Sequence, residues 1–232
     1  MAVQAQAAPR VALVAGSSGL TGAALVRLLL RQGDHARVHA LSRRPLPLDN
    51  TRLANRVLPL EEIGPRLMGL RCTDAFCCLG AAGGPRASAA ALRHTDLQLV
   101  LGFATAALAA GATRLVVVSA AGADSAAARE FLRVKGELEA ALRALKFAAV
   151  DVLQPAVVVG LRADSPWQET LRIGLLPFLG PLQRGPLAAR RWISGEDLAA
   201  AMLGAARSQR RGFNYYGGER LLQLTAAGRQ RS

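Results

Sequence analysis

Residues 11 to 30, VALVAGSSGLTGAALVRLLL, constrain this chain more than any other stretch. Val11 to Ala15 is apolar without alternation, the pattern of a parallel strand covered on both faces. Three glycines follow at a spacing that opens a helix. Gly16 permits a tight turn, Gly19 lets a ligand approach the backbone, and Gly22 lets the helix pack close to the sheet. Leu25, Leu28 and Leu29 then recur at helical spacing, so the positive dipole end of that helix faces the glycine turn. Strand, turn and helix in this order build a site for the phosphates of a dinucleotide. Gly16, Ser18, Gly19, Leu20, Thr21 and Gly22 are the residues expected to line it.

Strand and helix patterns alternate through the rest of the chain. Residues 37–41 predict a second strand, 57–60 a short third one and 74–79 a fourth, ended by Gly80. A helix is expected over about 88–110, with Leu92, Leu99, Val100 and Phe103 on one stripe and Gly111 as its C-cap. A buried strand over 114–119, a helix over 130–145 and a strand over 149–153 follow. This order predicts an α/β fold of Rossmann type, a doubly wound parallel sheet with right-handed crossovers. Past Pro155 the texture changes. Pro166, Pro177, Pro181 and Pro186, interleaved with Trp167, Leu175, Leu176, Phe178 and Leu179, make an apolar but irregular region. Ser194 with Asp197 resembles a capping box opening a helix to about Ala206, and 213–216 predicts a last strand before Gly217 and Gly218. The expected organisation is one domain over 1–232. Its dinucleotide-binding core spans about 10–155, and a short C-terminal substrate-side or lid segment spans about 156–232.

Composition narrows the classes. A hydrophobic content of 51% is ample for a core, and no apolar run approaches the roughly 18 residues of a membrane span. Residues 1–10 hold no apolar stretch of signal-peptide length, so a cytoplasmic location is expected. Cys72, Cys77 and Cys78 form neither a disulfide framework nor a metal-ligand spacing, and His35, His39 and His94 are scattered; no metal is expected. A net charge of +13 invites a nucleic-acid partner. Against that, the cations are spread along the whole chain, aromatic residues make up only 4%, and all but two of the 29 Lys and Arg residues are arginine. Nucleic-acid association is the weakest of the readings.

Cofactor choice is written at the end of the second strand. An NAD site places Asp or Glu there to bind the ribose hydroxyls; this chain has Ser42, Arg43 and Arg44, whose guanidiniums can fork onto a 2′-phosphate. NADP(H) is therefore expected in preference to NAD(H). Lys135 is one of the chain's two lysines, and its retention among so many arginines suggests a role for a compact, tunable ammonium. Phe131 lies one helical turn before it.

Taken together, the segments 16–22, Ser42-Arg43, 76–80, 118–124, 134–139 and Gln154-Pro155 resemble the short-chain dehydrogenase/reductases, and among them the small atypical group around the Tat-interacting protein. The resemblance implies NADP(H) lying across the strand ends, with Leu79 and Gly80 on the adenosine-ribose side. It implies Lys135 bonded to the nicotinamide ribose, the Pro155 backbone near the nicotinamide, and Ser119 orienting the carbonyl of an unknown small-molecule substrate. One position departs from the family's Tyr-x-x-x-Lys pattern. Phe131 stands where the tyrosine hydroxyl would exchange a proton during hydride transfer, and Ala120 marks a second absent hydroxyl. The reading is an NADP(H)-binding oxidoreductase-like protein with catalysis weakened or lost, in which Phe131→Tyr would restore the acid. The alternative is a non-catalytic NADPH-sensing or protein-interaction module.

Overall fold

The computed structural model describes residues 9–160 and 192–230. Seven parallel strands form its main sheet: β1 (Val11–Ala15), β2 (Arg37–Ser42), β3 (Leu53–Val57), β4 (Asp74–Cys77), β5 (Arg114–Val118), β6 (Ala149–Leu153) and β9 (Gly212–Tyr216). Their spatial order is β3-β2-β1-β4-β5-β6-β9. The chain runs outward from β1 to β3, returns to β4 on the other side of β1, and continues outward again. The strand order thus reverses between β1 and β4, where the open crevice of such sheets lies. A separate parallel pair, β7 (Val157–Val159) and β8 (Trp192–Ser194), sits outside the main sheet.

Side-chain alternation along β1 divides the core into two layers. Ala12 and Val14 face one layer with Leu25 and Leu29 of α1 (Leu20–Gln32) and Leu198 and Met202 of α6 (Gly195–Arg207). Leu221 of α7 (Gly218–Arg229) joins them. Leu13 and Ala15 face the other, with Ile63 of α2 (Ile63–Arg66), Phe103 of α4 (Val100–Ala109), and Leu138 and Leu142 of α5 (Glu130–Ala144). Adjacent Cys77 and Cys78 split the same way, Cys77 into the second layer and Cys78 against the first.

Three sequence expectations shift. The third strand is β3 at Leu53–Val57, four residues earlier than the apolar run 57–60 suggests. β3 is the outer edge, mostly exposed, so it has no need of apolar residues on both faces. The helix expected over 88–110 is one rod in three parts. A short α3 (Ala89–Leu92), capped by Ser88, passes through a π-helical stretch, Arg93–Leu99, into α4. The wider turn re-phases the rod, so Asp96 is buried between Leu92 and Val100 while Leu99 is only partly covered. At its end Gly111 (φ +90°) and Ala112 donate to Leu108 and Ala107, closing a Schellman cap. Beyond β9, α7 follows where sequence reading stopped at the glycine pair. Gly228 and Gly204 let α7 and α6 approach until a Cβ on Gly228 would lie 1.8 Å from the Ala200 carbonyl oxygen. β9 thus extends the main sheet, and α6 and α7 pack into its first layer. The irregular stretch with Pro166, Trp167, Leu175, Leu176, Pro177, Phe178, Leu179, Pro181 and Pro186, where a lid was expected, lies outside the described residues.

Candidate functional site

The glycine turn closes over the ends of β1, β2 and β4. Gly16 takes φ +75°, and a Cβ there would meet the Cys78 carbonyl oxygen at 2.8 Å, so the turn is pressed against the exit of β4. Ser17, fully buried, donates both its N–H and its hydroxyl to the Leu41 carbonyl and pins the turn to β2. A Cβ on Gly22 would lie 2.1 Å from Gly16 O, which explains the close seating of α1. Gly19 differs. Its φ and ψ are ordinary for any residue, and a Cβ there would meet only Gly16 O, at 3.2 Å. As the N-cap of α1 it offers no side-chain cap, and the first turn carries no acidic residue. Among the described residues, the leading N–H groups of α1 therefore have no side-chain partner.

Ser18 is exposed at the lip of the turn, and Thr21 is half-buried. Leu20 is wedged against Gly160 and Gly195, where an added Cβ would fall 2.6 and 2.5 Å from its side chain. At the end of β2 the buried Ser42 hydroxyl donates to Arg44 O at 2.6 Å, which curls the chain and leaves Arg43 and Arg44 exposed. Leu79 is buried and Gly80 exposed at the exit of β4.

The other end of the crevice is framed by the loops after β5 and β6. Ala121 N–H donates to Pro155 O at 3.0 Å, and Asp124 N–H to Leu132 O at 3.2 Å. A Cβ on Gly136 would lie 2.2 Å from Asp124 C, so α5 is clamped against the loop that follows β5. That contact sets the height of Lys135, whose side chain is only 5% exposed. Its ammonium meets Asp96 Oδ1 at 2.5 Å and donates to Val118 O at 3.4 Å. Asp96 Oδ2 accepts the Ala81 N–H at 2.8 Å. Sequence reading missed Asp96. A lone carboxylate on an apolar helix stripe was the available signal, and the π-helical turn that buries it is not legible from spacing. Phe131 packs against Ala81, Leu92 and Val134, with Lys135 Nζ 6.0 Å from its ring centroid.

Ser119 is buried, and its hydroxyl donates to Glu139 Oε1, which also accepts from Gln154 Nε2 at 3.0 Å. Glu139, one turn beyond Lys135, is a second carboxylate that sequence reading passed over. The expected residues thus fall into two groups. Gly16, Ser18, Gly19, Leu20, Thr21, Gly22, Ser42, Arg43, Arg44, Leu79 and Gly80 gather around the ends of β1, β2 and β4. Ser119, Phe131, Lys135 and Pro155 gather across β5 and β6, each polar one already holding a partner within the protein.

A glycine turn opening a helix at the reversal point of a doubly wound parallel sheet defines a Rossmann-type protein with an oxidoreductase-like, NAD(P)-binding short-chain fold. No family model matches the chain. Among characterised proteins it is 31% identical to Protein HTATIP2 of Rattus norvegicus over 71% of this chain and 70% of that one. To Protein FMP52-1, mitochondrial, of Scheffersomyces stipitis it is 32% identical, over 72% and 76%. The chain belongs to the family of these proteins, an atypical short-chain dehydrogenase/reductase group. Among solved structures, a short-chain dehydrogenase/reductase family oxidoreductase from Burkholderia thailandensis superposes with a TM-score of 0.66 at 21% identity, covering 93% of this chain and 94% of that one. MoeE5 in complex with UDP-glucose and NAD gives 0.64 at 19% identity, over 93% and 80%. The expected cytoplasmic location is corrected by these relatives. The FMP52 proteins are named mitochondrial, including that of Saccharomyces cerevisiae, 29% identical over 66% of this chain. Free thiols do not discriminate among reducing compartments, which is why composition misled.

Proposed function

We propose that this protein binds NADP(H) in preference to NAD(H) and is oxidoreductase-like, with the proton-transfer half of the reaction weakened or lost. The observation that carries this reading is the bare, uncapped N-terminus of α1 above the Gly16–Gly19 turn, set beside the exposed Arg43 and Arg44. The residues fit such a cofactor. Backbone N–H groups and the positive end of α1 suit a pyrophosphate, and the end of β2 offers cations where a ribose-binding carboxylate would repel a 2′-phosphate. The solved neighbour MoeE5 was captured with NAD, which supports a nicotinamide dinucleotide in this fold. When bound, the nicotinamide supplies or takes hydride, and an unknown carbonyl compound is the fitting partner.

Within the chain, the Lys135 ammonium is paired with Asp96 and donates to Val118 O, Ser119 gives its hydroxyl hydrogen to Glu139, and Phe131 has none to give. This full internal pairing favours a second reading, a cofactor-sensing or protein-interaction module that binds NADPH without turning over substrate. Native mass spectrometry of the protein as purified, with parallel fluorescence titrations of NADPH and NADH, tests the first reading. Tighter NADPH binding is expected, and equal affinities or preference for NADH would overturn the cofactor assignment. NADPH binding without reduction of a panel of aldehydes, ketones and quinones would favour the second.

A further inference from the structure

Lys135 was read from sequence as a compact, tunable ammonium, bonded to the nicotinamide ribose by the family resemblance. Its surroundings give it a different task. The charge is buried, and a carboxylate of opposite sign touches it at 2.5 Å, closer than the Phe131 ring centroid at 6.0 Å. Both oxygens of Asp96 are committed, one to the ammonium and one to the Ala81 N–H. The two charges also oppose each other at a third group. Burial pushes the Cys77 thiol up to about 12, while Lys135 pulls it down and Asp96 pushes it up.

We infer that Asp96 is a positioning residue that neutralises Lys135 and anchors it to the loop after β4, so that Lys135 holds geometry and no longer activates a proton donor. Residue 96 and residue 131 then set the character of this end of the site together. A carboxylate that pairs with the lysine and a ring without a hydroxyl both remove proton-transfer capacity while leaving a binding surface in place. Restoring the hydroxyl alone is insufficient, contrary to what the family resemblance suggests. A cation within about 4–6 Å normally shifts an acid by one to three pKa units, but an equal and opposite charge bound to that cation cancels most of the field.

The inference rests on reading 131 and 135 as the proton-handling end of the site, and its test needs no dinucleotide. Failure of the cofactor assignment would therefore leave it standing. The test is an ultraviolet difference titration of Phe131→Tyr against wild type, which subtracts Tyr215 and Tyr216. The new phenol is expected to titrate at or above the ordinary value of about 10. Adding Asp96→Asn keeps an oxygen for the Ala81 N–H but removes the negative charge, and the phenol is expected to fall by one unit or more. The other charges nearby, Arg93, Glu130, Arg133 and Glu137, pair among themselves and are common to both variants. A phenol already lowered by a unit in Phe131→Tyr alone overturns the inference, as does an unchanged phenol once Asp96 is replaced. The first titration decides by itself should Asp96→Asn fail to fold. A residue that merely supported the fold would move neither value.

Discussion

Gly19 and Gly22 lie three residues apart in one turn, yet an added carbon meets different surroundings at each. At Gly22 it would lie 2.1 Å from Gly16 O, 2.8 Å from Gly16 C and 3.0 Å from Ser17 Cα. All three are backbone atoms, and the Ser17 pair of hydrogen bonds to Leu41 O holds them in place. Restoring an ordinary contact of about 3.4 Å means moving α1 by more than an ångström. Overpacking of this kind costs about 3 kcal/mol, the upper part of its usual range. Replacing glycine inside a helix returns about 1 kcal/mol, leaving Gly22→Ala destabilised by about 2 kcal/mol. For a chain of this length that lowers Tm by about 4–8 °C. At Gly19 the only neighbour is Gly16 O at 3.2 Å, and the backbone is already in a region open to any residue. Gly19→Val should cost about 1 kcal/mol or less, chiefly as a poorer N-cap, yet place its side chain where a pyrophosphate would lie. Thermal unfolding by circular dichroism and NADPH titration, run on both variants, read the two effects separately. Gly19→Val should stay folded and lose NADPH. A Gly19→Val protein that is folded and binds NADPH as wild type would refute the placement of the phosphates.

Further outcomes follow from other contacts. Arg43→Ala should weaken NADPH by about 1.5–3 kcal/mol, the worth of a charge-assisted hydrogen bond, and leave NADH nearly unchanged in the same fluorescence titration. Lys135→Met should destabilise by about 3–5 kcal/mol by stranding buried Asp96. Lys135→Met with Asp96→Leu should cost clearly less than the two single changes added, measured by urea unfolding. At the opposite end of the sheet, burial disfavours the Asp74 carboxylate, but hydrogen bonds from His35, Arg10 and Thr73 and the Arg10 charge hold its pKa well below the usual range. A depressed folded-state pKa means that its stabilisation is present above the unfolded value near 3.9 and is lost as pH falls below it. Asp74→Asn should therefore be less stable than wild type at pH 7 and flatten the stability loss between pH 4 and pH 2, read by denaturant midpoints.

The local order of the chain was legible because strands and helices announce themselves by period. Val11–Ala15 and Arg114–Val118 are apolar on both faces because each is covered by two layers. Ser194 caps α6 through the Asp197 N–H as its spacing suggested. Gly16 and Gly22 mark the turn because a backbone that must turn or approach closely tolerates no side chain. What period could not reveal was anything decided by a partner distant in sequence. The edge position of β3 released it from an apolar code, and only the assembled sheet makes it an edge. The burial of Asp96 depends on a π-helical turn and on Lys135, thirty-nine residues away. Ser119 looked available to a substrate until Glu139, on a helix packed beside it, was seen to take its hydroxyl. Sequence alone determined where the backbone turns at Gly16 and where α1 seats closely at Gly22, since backbone space is a local property. Whether Lys135 and Ser119 have charge and protons to offer is set by which side chains the fold brings against them, and that only the tertiary structure decided.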